Sequence, residues 1–359
     1  MKKFLVIAAS VLVLNATAQD SASHASPVSF SAFAEVYYSY DFSKPADNKR
    51  PFFLYNHNRH NEFNVNLGFV KAGYQTENIR ANLALAAGTY VNANYAAEPG
   101  VLKNLYEANI GAKILKSKKL WIDAGIFASH LGFESAQSSN SPTLTRSIIA
   151  DNSPYYEAGV KLNYTSDNTK WYFSILALNG WQRIQRLAGN SLMCWGNQIT
   201  FTPSSKASFN YSSFLGSDSP DSARMFRIFH DLYTVLQLTS KWQLIVCFDI
   251  GQQQASKGSS SFNTWYGTSV ILHYAFTKDW AAAARGEYYH DETGIIIYTG
   301  TPNGFKTSGF SLNVDRNIGD HFLWRTEVRI FNSEDNIFPK SGSYVDNNTA
   351  ITTSFAFIL

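Results

Sequence analysis

From residue 29 to residue 40 the side chains alternate, with Phe30, Ala32, Ala34, Val36, Tyr38 and Tyr40 in one phase and Ser29, Ser31, Glu35 and Ser39 in the other. A period of two puts successive side chains on opposite faces of a strand, one apolar and one wet. The rhythm returns in Phe63, Val65, Leu67 and Phe69, in Tyr106, Ala108, Ile110 and Ala112, and in Tyr156, Ala158, Val160, Leu162 and Tyr164. Later it recurs in Trp242 to Ile250 and in Tyr266 to Tyr274. A soluble sandwich also alternates in this way.

The connections separate the two architectures. Short polar turns fall near residues 76–78, 116–119, 165–169, 203–206, 239–241, 277–279 and 316–321. Between them lie long Gly, Ser, Asn, Asp and Pro-rich segments near 42–61, 91–104, 128–153, 179–191, 213–223, 252–263, 289–305 and 332–347. Short turns on one side and long loops on the other are the habit of outer-membrane barrels. Seven turns and eight loops join sixteen strands. The predicted fold is therefore all-β: a transmembrane antiparallel up-and-down β-barrel of about 16 strands, with short periplasmic turns and long extracellular loops.

Aromatic placement adds to this picture. Trp121, Trp171, Trp242, Trp280 and Trp324 each follow a short turn and are predicted to form an interfacial girdle. Tyr37, Tyr38, Tyr40, Tyr90, Tyr155, Tyr156, Tyr288 and Tyr289 gather at the opposite strand ends, as a second girdle would. The chain closes on Ile351, Thr353, Phe355, Phe357 and Leu359 in one phase, a strand suited to seal a barrel and remove its exposed edge.

Residues 1–18 read as a secretory signal, with Lys2 and Lys3, an apolar run from Phe4 to Leu14 and the small-residue site Ala16-Thr17-Ala18. Residues 19–359 then form a single barrel domain. Removing Lys2 and Lys3 from 30 basic residues leaves 28 against 27 acidic ones, so charge gives no reason to expect nucleic acid. Aromatics at 15% and charged residues at only 16% fit strands with a lipid face, while no later apolar run approaches a membrane helix. Cys194 and Cys247 lie in separate strand-like runs and are read as small fillers, although an exported chain permits a disulfide.

Four strings carry a family resemblance: YNHNRHNEFNVNL at 55–67, HLGFESA at 130–136, LTRSIIADNSPYYEAGVKLNYTSDN at 144–168 and LNGWQRIQ at 178–185. They resemble the OmpL-like putative β-barrel porin family over nearly all of the mature chain. That resemblance implies a porin of the Gram-negative outer membrane, passing small hydrophilic solutes by passive diffusion. The barrel itself follows from the alternation alone.

If the apolar phase meets lipid, the other phase lines a lumen and its charges become informative. Glu35, Glu107, Lys113, Asp123, Glu157, Lys161, Asp249, Arg285, Glu287, Asp315, Arg325, Glu327 and Arg329 fall in or near it. The longest connection, 128–153, is the third outer loop, which in general porins folds inward. A pore constriction is therefore predicted from Glu134, Arg146 and Asp151 of that loop facing Arg285, Arg325 and Arg329 of the wall. A loop that merely caps the mouth is the competing reading. His57 and His60 lack further ligands at metal spacing and are read as a hydrogen-bonded cluster, so no metal or cofactor is expected. Trp181, Arg183 and Arg186 suit a sugar or anion platform or an interfacial anchor equally well.

Catalysis finds no support: there is no G-x-S-x-G elbow, and His230 with Asp231, like His290 with Asp291, are strand neighbours pointing to opposite faces. No catalytic residue is assigned. A non-conducting adhesin or scaffold barrel is the main rival, a barrel hydrolase the lesser one. Expected partners are outer-membrane lipids, the barrel assembly machinery, small hydrophilic solutes and, as in general porins, two further copies in a homotrimer.

Overall fold

The computed structural model describes residues 26–340 and 342–359; the signal segment lies outside them. The strands are β1 (Val28–Asp41), β2 (Phe63–Gln75), β3 (Ile79–Ala87), β4 (Leu105–Lys113), β5 (Lys119–Ala128), β6 (Tyr156–Thr165), β7 (Trp171–Leu178) and β8 (Cys194–Ser204). They continue as β9 (Ala207–Gly216), β10 (Arg227–Gln237), β11 (Trp242–Gln254), β12 (Phe262–Ala275), β13 (Trp280–Asp291), β14 (Phe305–Ile318) and β15 (Phe322–Ser333). A small hairpin, β16 (Phe338–Lys340) and β17 (Ser343–Val345), decorates the eighth loop before β18 (Asn347–Ile358). All but that hairpin form one closed barrel of 16 strands, each antiparallel to its chain neighbours, with β18 pairing back onto β1. Two short helices stand in the loops, α1 (Thr89–Asn94) and α2 (Ile148–Asp151). No helix of the described residues is long and apolar enough to cross a membrane.

The alternation maps onto the two faces as the physics requires. On β11, Trp242, Leu244, Val246, Phe248 and Ile250 face outward, while Gln243, Ile245, Cys247 and Asp249 are buried on the inner side. With no water in the bilayer, a closed ring is the arrangement that pairs every strand edge.

Phase reading fails where a strand is irregular. The β1–β2 register shifts at Glu35/Val36, so Phe63 and Val65 face out but Leu67 and Phe69 turn inward. Phe69 there stacks on Phe33 at 5.8 Å and on Tyr106 at 5.3 Å. A bulge adds one residue to one strand and so exchanges the faces beyond it. Trp121 also departs from the girdle: it shares the inner face with Asp123, and the Arg80 guanidinium lies 4.4 Å over its ring. Trp171, Trp242, Trp280 and Trp324 do lie on the outer face at strand starts, Trp280 and Trp324 edge to face at 6.2 Å. Of the tyrosines, Tyr38, Tyr40 and Tyr288 stay outside, whereas Tyr37, Tyr90, Tyr156 and Tyr289 are buried, because they occupy inward phases or an ingoing loop. Cys194 and Cys247 are both free and buried.

Candidate functional site: the loop-filled lumen

The third loop, residues 129–155, folds into the barrel. Much of its docking sets its backbone against wall side chains, and the Thr143, Thr145 and Ser138 hydroxyls and the His130 ring add side-chain bonds to Arg285, Glu35 and Glu157. Thr145 N donates to Glu327 at 2.6 Å, Ile148 N to Glu287 at 2.7 Å and Leu144 N to Asn313 at 3.1 Å. In the reverse sense Arg285 donates to Thr145 O at 2.7 Å, and Arg325 to Ser138 O and Ser141 O at 2.6 and 3.0 Å. A loop placed indoors must satisfy its own peptide groups, and a wall of alternating Arg and Glu supplies both donors and acceptors.

Helix α2 begins at Ser147, whose side chain accepts from Ala150 N, and it turns Ile148 and Ile149 onto Trp265 and Tyr289. Gly267 makes that seat: a Cβ there would stand 2.4 Å from Ile149 Cγ2. Gly196 does the same for His130, whose Nε2 would meet an added Cβ at 2.6 Å. His130 bonds Glu157 at 2.9 Å. Burial works to lower its pKa, but the Glu157 carboxylate more than offsets this and holds it above the usual value.

The first loop, residues 42–62, also enters the lumen, which the sequence reading did not foresee. Phe53 packs edge-on to Phe305, Phe331 and Phe338 at 4.8, 5.5 and 6.1 Å. Asn56 Nδ2 donates to Asp151 at 2.7 Å, and Asn152 Nδ2 to Phe53 O at 3.1 Å, so the two loops are stitched together. His57 reaches Glu35 at 3.0 Å and His60 accepts from Asp41 N at 2.8 Å, each within its own hydrogen-bonded set. The signal was present: Pro51-Phe52-Phe53-Leu54 is an apolar run inside a segment otherwise built for solvent.

The six predicted constriction residues all lie inside, but arranged differently from an acidic loop facing a basic wall. Arg329 is held by Glu287 through both Nε and Nη2, at 2.9 and 2.7 Å; Arg285 by Glu327 at 2.9 Å; and Arg325 by Asp315 at 2.7 Å. The wall arginines are thus paired with wall carboxylates. Only Glu134 approaches one across the loop, 4.0 Å from Arg285, and it also receives the Ser147 hydroxyl. Arg146 donates to Thr143 O and Leu144 O of its own loop. Asp151, held by Asn56, has its pKa pushed up to about 7 by burial. Trp181 packs edge-on to Phe214 and Phe229 at 4.9 and 5.0 Å and Arg183 bonds Asp218 at 3.2 Å, so this segment faces the barrel interior.

Away from the loop's contacts with β13 to β15, the wall of β2 to β5 carries charged side chains that remain partly exposed. Lys71 pairs with Glu107 and Arg80 with Asp123, each at 2.6 Å, with Lys71 29% and Arg80 22% exposed. Asn82 and Asn109 join across β3 and β4 at 3.0 Å. The side of the lumen lined by β10 to β15 is drier, since Phe53, Leu131, Phe133, Ile148 and Ile149 belong to one apolar cluster with wall residues such as Ile245 and Ile271. His230 and His290 project from the outer face, away from Asp231 and Asp291.

The family model described as "Putative beta-barrel porin-2, OmpL-like" matches residues 27–359. No curated protein matches the sequence. Among solved structures, an anion-selective porin from Comamonas acidovorans superposes with a TM-score of 0.62 at 7% identity, covering 92% of this chain and 99% of that one. The outer membrane channel DcaP of Acinetobacter baumannii gives 0.60 at 11% identity, with 92% and 97% covered. OmpT of Vibrio cholerae gives 0.60 at 9% identity with the same coverage. At these identities the likeness is one of fold.

Proposed function

Since the chain belongs to the OmpL-like β-barrel porin family of the Gram-negative outer membrane, we propose that it forms a narrow water-filled channel through which small hydrophilic solutes diffuse passively. The observation that carries this reading is the charged strip of Lys71, Glu107, Arg80 and Asp123, in which Lys71, Glu107 and Arg80 stay partly exposed while Asp123 is buried beneath Arg80. Charged side chains of both signs kept in water along a pore wall sort ions by their local field. In this reading Glu134, Arg146, Asp151, Arg285, Arg325 and Arg329 fix the loop that narrows the bore, and so act on permeation through its position. Solutes would be screened first by size. Export by residues 1–18 and a homotrimer complete the proposal; Vibrio cholerae OmpT has been solved in a trimer form.

The apolar cluster that the two ingoing loops form with the wall favours a second reading, a scaffold barrel that conducts nothing. Planar-bilayer conductance and liposome swelling with sugars of graded size separate the two. The channel reading expects discrete conductance steps and swelling by the smallest sugars; a silent bilayer with no swelling supports the scaffold.

A further inference from the structure

Two carboxylates on the inner wall have no cation. Asp231 of β10 and Asp249 of β11 stand directly opposite each other in register and are buried. Among the described residues neither forms an ion pair, whereas Glu107, Asp123, Glu287, Asp315 and Glu327 each meet a lysine or arginine. Like charges directly opposite in a sheet repel, and burial magnifies the cost of leaving them uncompensated.

Cys247 projects between them. Its Sγ lies 3.6 Å from Asp231 Oδ2 and 3.6 Å from Asp249 Oδ1, and one ligand atom from each of the three residues falls within 4.8 Å of the others. A thiolate at about 2.3 Å and a carboxylate oxygen at about 2.0 Å on a tetrahedral zinc-class ion stand about 3.5 Å apart. Both sulfur-to-oxygen separations already have that value. A second observation points the same way. Tyr233 and Ser269 are the residues directly opposite Cys247 on β10 and β12, on the same inner face. Both are buried, and neither hydroxyl has a partner among the described residues. An orphaned hydroxyl in a dry wall is costly, and two such residues paired in register with Cys247, the short Ser269 directly beside it, leave a place for a further polar occupant.

We infer that Asp231, Cys247 and Asp249 form a binding site for one thiophilic divalent cation of the zinc class, with Tyr233 or Ser269 beside its fourth coordination position. On binding, the Cys247 thiol gives up its proton to solvent, as does either carboxyl that carries one; no electron moves. The ion would sit beneath the start of the third loop, where Ser212 of the neighbouring strand donates to His130 O at 2.8 Å.

The test uses the full-length barrel folded in detergent with Zn2+ or with Co2+ as its spectroscopic substitute. One tightly held zinc per chain is expected, with a thiolate-to-cobalt charge-transfer band and proton release on loading. Cys247→Ser and Asp249→Asn should abolish the band and the zinc, while Cys194→Ser should keep both. Zinc-free wild-type protein, or a band unchanged in Cys247→Ser, overturns the site and leaves two carboxyls that share a proton. If Cys247→Ser does not fold, the comparison of wild type with Cys194→Ser decides, because these are the two thiols of the chain. Conductance plays no part in the readout, so this site and the channel reading stand or fall separately.

Discussion

Asn56 of the first loop and Asp151 of the third meet inside the barrel, amide to carboxylate, at 2.7 Å. Two segments that leave different strands for the outside are thereby joined on the inside. The Asp151 carboxyl is the part of this contact that titrates near neutrality.

Burial pushes the pKa of Asp151 up to about 7 from an ordinary 3.8. A carboxyl whose folded pKa is raised binds more protons folded than unfolded between those values, so docking weakens as pH climbs through this window and levels off above about 7. The loss is on the order of a few kcal/mol. Hydrogen exchange in residues 50–60 and 147–153, corrected for intrinsic rates, should quicken from pH 6 to pH 8 in wild type and not in Asp151→Asn. Equal protection at both pH values in wild type would remove Asp151 from any such role.

Gly267→Val should unseat α2, because its side chain needs the space that Ile149 fills. Overpacking of this kind costs roughly 1–3 kcal/mol. The expected result is a larger single-channel conductance with a barrel that still folds, its thermal stability lowered modestly. Conductance at the wild-type level would mean that the helix does not limit the bore.

Arg329 and Glu287 form a buried two-pronged pair, so Arg329→Ala leaves the buried Glu287 carboxylate with only Ile148 N and the more distant Arg285 guanidinium at 3.4 Å, at a cost of up to roughly 3–5 kcal/mol. Arg329→Met combined with Glu287→Gln should recover much of that loss, which chemical unfolding of the two variants can measure. For the Arg325→Ala, Arg329→Ala double variant, the channel reading expects noisier and larger conductance as the loop lets go. Unaltered conductance and ion preference would show that these arginines do not set the constriction.

Lys71→Glu places a second acid beside Glu107 on the uncovered wall. Reversal potentials in a salt gradient should shift toward cation preference, because the substitution makes this wall two charges more negative. No shift would place the conducting path elsewhere.

The barrel was legible because two independent signals agreed, a period of two along the strands and the alternation of turn and loop lengths. Each local break escaped that reading. The Glu35/Val36 irregularity sent Leu67 and Phe69 inward, and Trp121 followed the phase of Asp123 although it begins its hairpin as the other tryptophans do. Strand periodicity says nothing of what a loop does after leaving the wall. The length of the third loop left two readings open, an inward fold and a cap over the mouth, and its charged residues were named for the first. That its backbone, more than its acids, meets the wall depends on Glu287 and Glu327 pairing first with Arg329 and Arg285, a matter of distances. Cys247 read as filler because register, which sets Asp231 opposite Asp249 and so brings a second carboxylate within reach of the thiol, cannot be read from one strand.

Glu35 touches Ser354 on β18, Ser138 in the third loop and His57 in the first. Its neighbours come from both extremities of the polypeptide and from two segments between. This knot of contacts cannot exist until the ends have met and the ring is complete. The complete set of bonds to Glu35 therefore marks a closed ring, since a barrel stalled one strand short would lack Ser354 and leave this carboxyl one partner poorer.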